Sequence, residues 1–175
     1  MTPDTTPDVN SMPLGLYDQP GHLFRRAQQI SVSLFHDIVG EVSEVTPIQY
    51  SLLLMLQERP GVDQVTLARL VGLDNSTTAT TAARLEAKGL LVREVISVQR
   101  KQRSLSLTPA GEEELRTITP AVRRLQARLL GMMPSGEGEE MLRLLRTFVH
   151  LNNAQSRAPL HIGEYEAVGG QERGG

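Results

Sequence analysis

The stretch Asp74–Gly89 reads DNSTTATTAARLEAKG, and its run of small hydroxyl side chains is the first feature with chemistry to offer. On a helix Leu85 must face inward, and stepping back by three, four and seven residues puts Ala82, Thr81 and Thr78 on the same side. The opposite face then carries Ser76, Thr77, Ala79, Thr80 and Arg84. Such side chains weaken an exposed helix because they compete for backbone hydrogen bonds. They suit a helix that enters a DNA major groove about 12 Å wide and offers hydrogen bonds and methyl contacts to base edges. The plainer alternative is a threonine-rich surface helix with no partner.

A second candidate is the cationic run Arg100-Lys101-Gln102-Arg103. Formal net charge is −2, yet between Arg84 and Arg103 six basic residues face two acidic ones. Cations on a projecting tip would lie along phosphates or enter a minor groove. An arginine cluster alone is a solvated turn, so everything depends on where the run sits in the fold. A third candidate is a polar stripe, His22, Arg26, Gln29, Ser33 and His36, spaced by four, three, four and three along one helix face, with Arg25 beside it. Taken alone, that stripe reads as a solvated face.

The elements that must position these residues can be read from punctuation and period. Residues 1–20 hold four prolines and few apolar side chains, and read as a disordered arm. Leu23, Ala27, Ile30, Leu34 and Ile38 give a helical stripe closed by Gly40. Thr46-Pro47 opens a second helix, with Thr46 as N-cap and Pro47 where its missing N–H costs nothing. Two short helices follow, 64–71 and 75–88, joined by the tight turn Gly72-Leu73-Asp74, and Gly89 stands at the C′ position of the second. That is a helix-turn-helix pattern. Leu91, Val92, Val95 and Ile96 then read as one strand and Ser104–Thr108 as another, with the basic connection 97–103 as hairpin tip. Thr108-Pro109 caps a long helix rich in early glutamates, which Pro120 should kink or divide. A last helix, about 137–154, is expected to bury Met141, Leu144, Leu145, Phe148 and Leu151, and residues 156–175 read as a disordered tail.

The fold class predicted is mainly α with a small β-hairpin wing (α+β): a winged helix-turn-helix core at 46–108, flanked by helices at 21–40 and 109–155 in one domain. The stripe of 137–154 and the Leu125/Leu129 face call for a partner, because a winged helix alone cannot cover them.

Composition excludes much else. The absence of cysteine removes disulfides, thiolate nucleophiles, cysteine-ligated zinc and thiol redox sensing. The four histidines are scattered, with no Ser-His-Asp set, phosphate loop or H-E-x-x-H pattern, so no enzyme is expected. A metal sensor built on His22 and His36 lacks a close ligand spacing, and no metal or cofactor is expected. No apolar run approaches the roughly 18 residues of a membrane span, and the N-terminus does not read as a secretion signal, which implies a cytoplasmic protein.

The segments TPIQYSLLLML, PGVDQVTLARLVGLDNSTTATTAARLEAKGLLVRE and RKQRSLSLTPAG together resemble the MarR (multiple antibiotic resistance regulator) family of bacterial repressors. The resemblance spans residues 21–155, and LEAKGL and LTPAG are its specific parts. The family's wing motif is Asp-x-Arg-x-x-Arg; Arg100 and Arg103 are kept, while Val98 stands where the aspartate would be. The resemblance implies an obligate homodimer, paired through its first and last two helices, that reads double-stranded DNA at a palindromic operator with half-sites roughly 34 Å apart. Repression is implied over activation. Ser76, Thr77, Ala79 and Thr80 are expected to read bases, and Arg84, Arg100, Lys101 and Arg103 to hold phosphates or the minor groove. PGHLFRRAQQI resembles members that control aromatic-compound degradation. This implies a small aromatic carboxylate effector at His22, Arg25, Arg26, Gln29 and Ser33, with Arg25 and Arg26 as alternatives for its carboxylate. The competing expectation is a winged-helix regulator that works without an effector or through a protein partner.

Overall fold

The computed structural model describes residues 15–97 and 102–160. Local capping chemistry sets the helix starts. Thr46 accepts from the Gln49 N–H while the Gln49 side chain accepts from the Thr46 N–H, a reciprocal box that opens α2 (Pro47–Glu58). Asp63 caps α3 (Gln64–Val71), Asp74 caps α4 (Asn75–Ala87) and Thr108 caps α5 (Pro109–Leu130). The remaining helices are α1 (Pro20–Val39) and α6 (Glu137–Asn152).

The hairpin strands are β2 (Leu91–Ser97) and β3 (Gln102–Leu107), paired antiparallel with Leu91 opposite Leu107 and Arg93 opposite Leu105. A two-residue strand, β1 (Val62–Asp63), adds to the far side of β3 and gives the order β1-β3-β2. The fold is therefore the expected winged helix, mainly α, with a third short strand that is too brief to show a period in sequence.

One core joins the parts. Phe35 and Val39 of α1, Leu52, Leu53 and Leu56 of α2, Leu67 of α3, Leu85 of α4, Leu91 and Leu105 of the sheet, and Leu115, Ile118 and Leu125 of α5 form one buried cluster. The C-terminal half of α1 thus packs on α5, which packs in turn on α2 and β3, and α2 packs on α3 and α4.

Several expectations change. Pro120 neither divides α5 nor interrupts its assignment over 22 residues. Arg116 and Pro120 are exposed, so the carbonyl left without a donor lies on the solvent side, while Ile118, Ala121 and Val122 anchor the opposite face. Leu125 needs no partner, since it is buried within its own chain. The stripe on α6, for which a partner is expected, is left uncovered by the described residues: Phe148 is 45% exposed and Leu151 71%. Leu23 and Ile30 on α1 are likewise exposed, and Phe24 meets Phe148 with ring centroids 4.7 Å apart.

Residues 156–160, read from sequence as the start of a tail, lie close to the α3–α4 turn. Asn153 bonds both the N–H and the carbonyl of Leu160, whose side chain comes within 2.9 Å of where a Cβ on Gly72 would stand. Gly72 has φ 67°, the left-handed conformation the turn requires. The rest of that tail and residues 1–14 of the N-terminal arm lie outside the described residues.

Gly111 serves a different need. A Cβ there would stand 2.0 Å from the Leu90 carbonyl oxygen, where the chain leaving α4 crosses the start of α5. Helix propensity alone favours Gly111→Ala by up to about 1 kcal/mol. The clash with backbone costs about 1–3 kcal/mol, so the variant should be less stable in urea unfolding at fixed protein concentration. A more stable variant would contradict the close crossing.

Candidate nucleic-acid interface

Thr78, Ala82 and Leu85 are the buried face of α4, as their spacing requires. The Thr78 hydroxyl is satisfied inside the helix by the Asp74 carbonyl at 2.9 Å. Ser76, Thr80 and Arg84 are exposed, and Thr77 and Thr81 half-buried. Together with Thr46, Ile48 and Gln49 from α2 they line an open concavity of about 300 Å³.

Two details of the sequence reading change. Thr81, placed inward by spacing, lies at the rim of this concavity. Ala79 is half-buried on the side toward β2, where its carbonyl accepts from Arg93 at 3.4 Å. The open face is thus rotated toward Thr80, Thr81 and Arg84. Sequence reasoning missed Thr46, Ile48 and Gln49, whose approach to α4 is set by tertiary packing; the capping box at Thr46 was the available signal for a helix end near by.

Of the wing cations, Arg103 is exposed and sits in β3 opposite Val95, inside the strand and not in the connection. Arg100, Lys101 and Val98 lie outside the described residues.

Electrostatics on this side is simple. Asp74 accepts the Thr77 hydroxyl at 2.7 Å and the Thr77 N–H at 2.8 Å, and these bonds hold its carboxyl below the usual carboxylate range. At Asp63 partial burial pushes upward, but the Thr66 hydroxyl and the Thr66 and Val65 N–H groups outweigh it and leave the carboxyl lowered. Glu86 is paired with Arg93 at 3.1 Å. Each of these acids is therefore engaged by the fold.

On α1 the structure brings four of the five effector candidates together. The Gln29 side-chain oxygen accepts from Arg25 at 3.1 Å and from Arg26 at 3.0 Å, and a second Arg25 nitrogen lies 3.3 Å from His22 Nδ1. Arg25 and Arg26, alternatives by spacing, thus converge on one atom. Ser33 stands one turn beyond, exposed and outside that cluster. Tyr17, not singled out in sequence, sets its ring edge-on to His22 at 5.8 Å. Neither arginine forms an ion pair among the described residues. Among those residues no group of three or more His, Asp or Glu side chains is arranged to hold a metal ion, and no helix is long and apolar enough to cross a membrane.

Comparison with known proteins gives a consistent picture. The MarR family model matches residues 43–102. The transcriptional repressor NicR of Pseudomonas putida is 26% identical over 148 residues, 85% of this chain and 92% of its own length. The transcriptional regulator PcaV of Streptomyces coelicolor, solved with its natural ligand, superposes with a TM-score of 0.71 at 33% identity, covering 79% of this chain and 96% of that one. BpsR of Bordetella bronchiseptica, solved to explain regulation of its DNA binding by 6-hydroxynicotinic acid, gives a TM-score of 0.71 at 25% identity over 79% of this chain and 98% of its own.

The caps make a prediction. A lowered folded-state pKa contributes stability that is present above the unfolded value, about 4, and lost as pH falls through the folded value. Asp74→Ala should speed amide exchange at Thr77, and Asp74→Asn should largely preserve protection. In unfolding measurements the stability lost as pH falls below about 4 should be larger in the unsubstituted chain than in Asp74→Ala, which has no carboxyl to titrate at that position. Equal exchange in the Ala variant and the unsubstituted chain would contradict the cap.

Proposed function

The chain belongs to the MarR family of transcription regulators, and from that premise we propose that it is a homodimeric repressor that binds a palindromic operator and is released by a small aromatic carboxylate. The observation that carries the DNA reading is the open hydroxyl face of α4. Ser76, Thr77 and Thr80 lie beside Arg84, with the Arg103 strand near by in the chain's wing and the neighbouring acids engaged in a cap and an ion pair. Small donors and methyl groups fit base edges, and cations at the margins fit phosphates. Ser76, Thr77 and Thr80 are assigned to bases, with Ala79 at the wing-side margin. Arg84, Arg100, Lys101 and Arg103 are assigned to phosphates or the minor groove.

Two observations support a homodimer. The exposed apolar residues of α6 (Leu144, Leu145, Phe148, Val149, Leu151) and those of α1 (Leu23, Phe24, Ile30) adjoin through the Phe24–Phe148 contact. An apolar surface of this kind marks an interface, and a two-fold axis through it covers the same patch on both copies. Two-fold symmetry in the protein then implies a palindrome in the DNA.

Support for the effector comes from the Arg25/Arg26 pair. Two guanidiniums gathered on one amide oxygen, with no carboxylate partner among the described residues, can turn their remaining donors to an incoming carboxylate. His22 beside them can bond a ring hydroxyl. BpsR responds to 6-hydroxynicotinic acid, which carries both groups. Such a ligand releases DNA only by binding the DNA-incompetent arrangement more tightly than the competent one. Regulation without catalysis is the activity assigned, and the cytoplasm is the compartment in which it would meet DNA.

Two measurements test this reading. Affinity for an operator selected from a random DNA pool should fall steeply with salt. Arg100→Ala combined with Arg103→Ala should weaken binding to all sequences and reduce the salt slope by about two; an unchanged slope removes the wing from the interface. In the same assay hydroxylated benzoic and nicotinic acids should release the operator from the unsubstituted chain. The Arg25→Ala, Arg26→Ala double variant should still bind DNA but ignore the acids. Release that survives in this variant contradicts the assigned pocket.

A further inference from the structure

Among the described arginines, Arg93 alone is largely withdrawn from solvent, its side chain 15% exposed. It projects from β2, opposite Leu105, and meets α4 at two places. Its Nη2 donates to the Ala79 carbonyl at 3.4 Å, and its Nε lies 3.1 Å from Glu86 Oε2. Ala79 and Glu86 are seven residues apart, two helical turns or about 10.5 Å of rise, and helical side chains lean back toward the N-terminus, which brings the Glu86 carboxylate within reach. One guanidinium therefore touches the backbone of α4 in its middle and a side chain near its end. The Nε–H is not aimed at the carboxylate and is left without an acceptor. The contact is electrostatic at that end and hydrogen-bonded at the other.

We infer that Arg93 is a positioning residue for sequence recognition: a strut from the wing strand that fixes the rotation of α4 about its own axis. The proposal rests on the reading of α4 as the base-contacting helix. The core grips α4 through Thr78, Ala82 and Leu85. That row is narrow and includes one alanine, so it resists a roll of the helix less than a row of large side chains would. The Arg93 fork holds the adjoining face at Ala79 and Glu86 and opposes that roll. A roll of α4 displaces Ser76, Thr77 and Thr80 sideways along the groove, which changes which base edges they meet and leaves the total charge facing the phosphates unchanged. Arg93 itself is directed at α4, with Glu86 as its counter-charge, so it does not act as a phosphate contact.

The consequence separates Arg93 from Arg103 in one experiment. Binding of the full chain to the selected operator and to a scrambled duplex is measured across salt concentrations for Arg93→Ala, Arg93→Lys, Glu86→Gln and Arg103→Ala, with thermal melting of each variant. Arg93→Ala should lower operator affinity by about tenfold, comparable to one misread base pair. Its binding to the scrambled duplex, weakened only by the freed Glu86 carboxylate, should fall much less than its binding to the operator, so the operator-to-scrambled ratio drops. Arg93→Lys keeps the charge without the fork and should recover part of the loss. Arg103→Ala should weaken both DNAs alike and flatten the slope. If Arg93→Ala behaves as Arg103→Ala does, or leaves the operator-to-scrambled ratio intact, the strut is refuted. Where Arg93→Ala melts too early to be assayed, Glu86→Gln decides: a reduced ratio supports the strut and an unchanged ratio overturns it. Failure of the unsubstituted chain to select any sequence would count against the DNA reading itself, an outcome distinct from failure of the strut.

Discussion

Whatever the open face of α4 does depends on the burial of the face behind it. Thr78, Ala82 and Leu85 are fully enclosed, and they set a threonine-rich helix of low intrinsic stability against α2, α3 and the sheet. Without that packing, DNSTTATTAARLEA has little reason to be helical in water. With it, the hydroxyl groups on the other side are freed from structural duty. The Asp74 cap and the Arg93 contacts fix what burial leaves loose, the start of the helix and its roll.

The same cluster ties this helix to the rest of the chain. Phe35 and Val39, on the C-terminal half of α1, share the core with Leu85, while Arg25, Arg26 and Gln29 lie on the N-terminal half of the same helix. A close-packed interior transmits a shift of one element to those packed on it. A ligand that moves the exposed half of α1 would therefore be felt at α4 through side chains already in contact. This gives the proposed release mechanism a physical route, and the direction of the effect follows from which arrangement the ligand prefers.

Much of this was legible in the sequence because it is local. Thr46-Pro47, Gly72, Asp74 and Thr108-Pro109 punctuate the chain by capping and turn chemistry that acts within four residues, and the helices begin and end where these residues stand. What was not legible depends on distant partners. The two residues of β1 pair only because β3 arrives forty residues later. Pro120 is tolerated because α1 holds the opposite face of α5. The roll of α4, which brings Thr81 to the rim and turns Ala79 toward the wing, reflects Arg93 on another element. The α6 stripe is legible as an apolar face, but periodicity cannot say what covers it, and among the described residues it stays exposed.

The central claim is that α4 from each of two copies reads a half-site, with the α1–α6 surface setting their separation. Chemical footprinting of the selected operator tests it most directly, using guanine methylation for the major groove and hydroxyl radicals for the backbone. The account predicts two protected major-groove patches, related by two-fold symmetry and centred about one helical turn, roughly 34 Å, apart. A single asymmetric patch, or protection confined to the backbone with the major groove open, would contradict it.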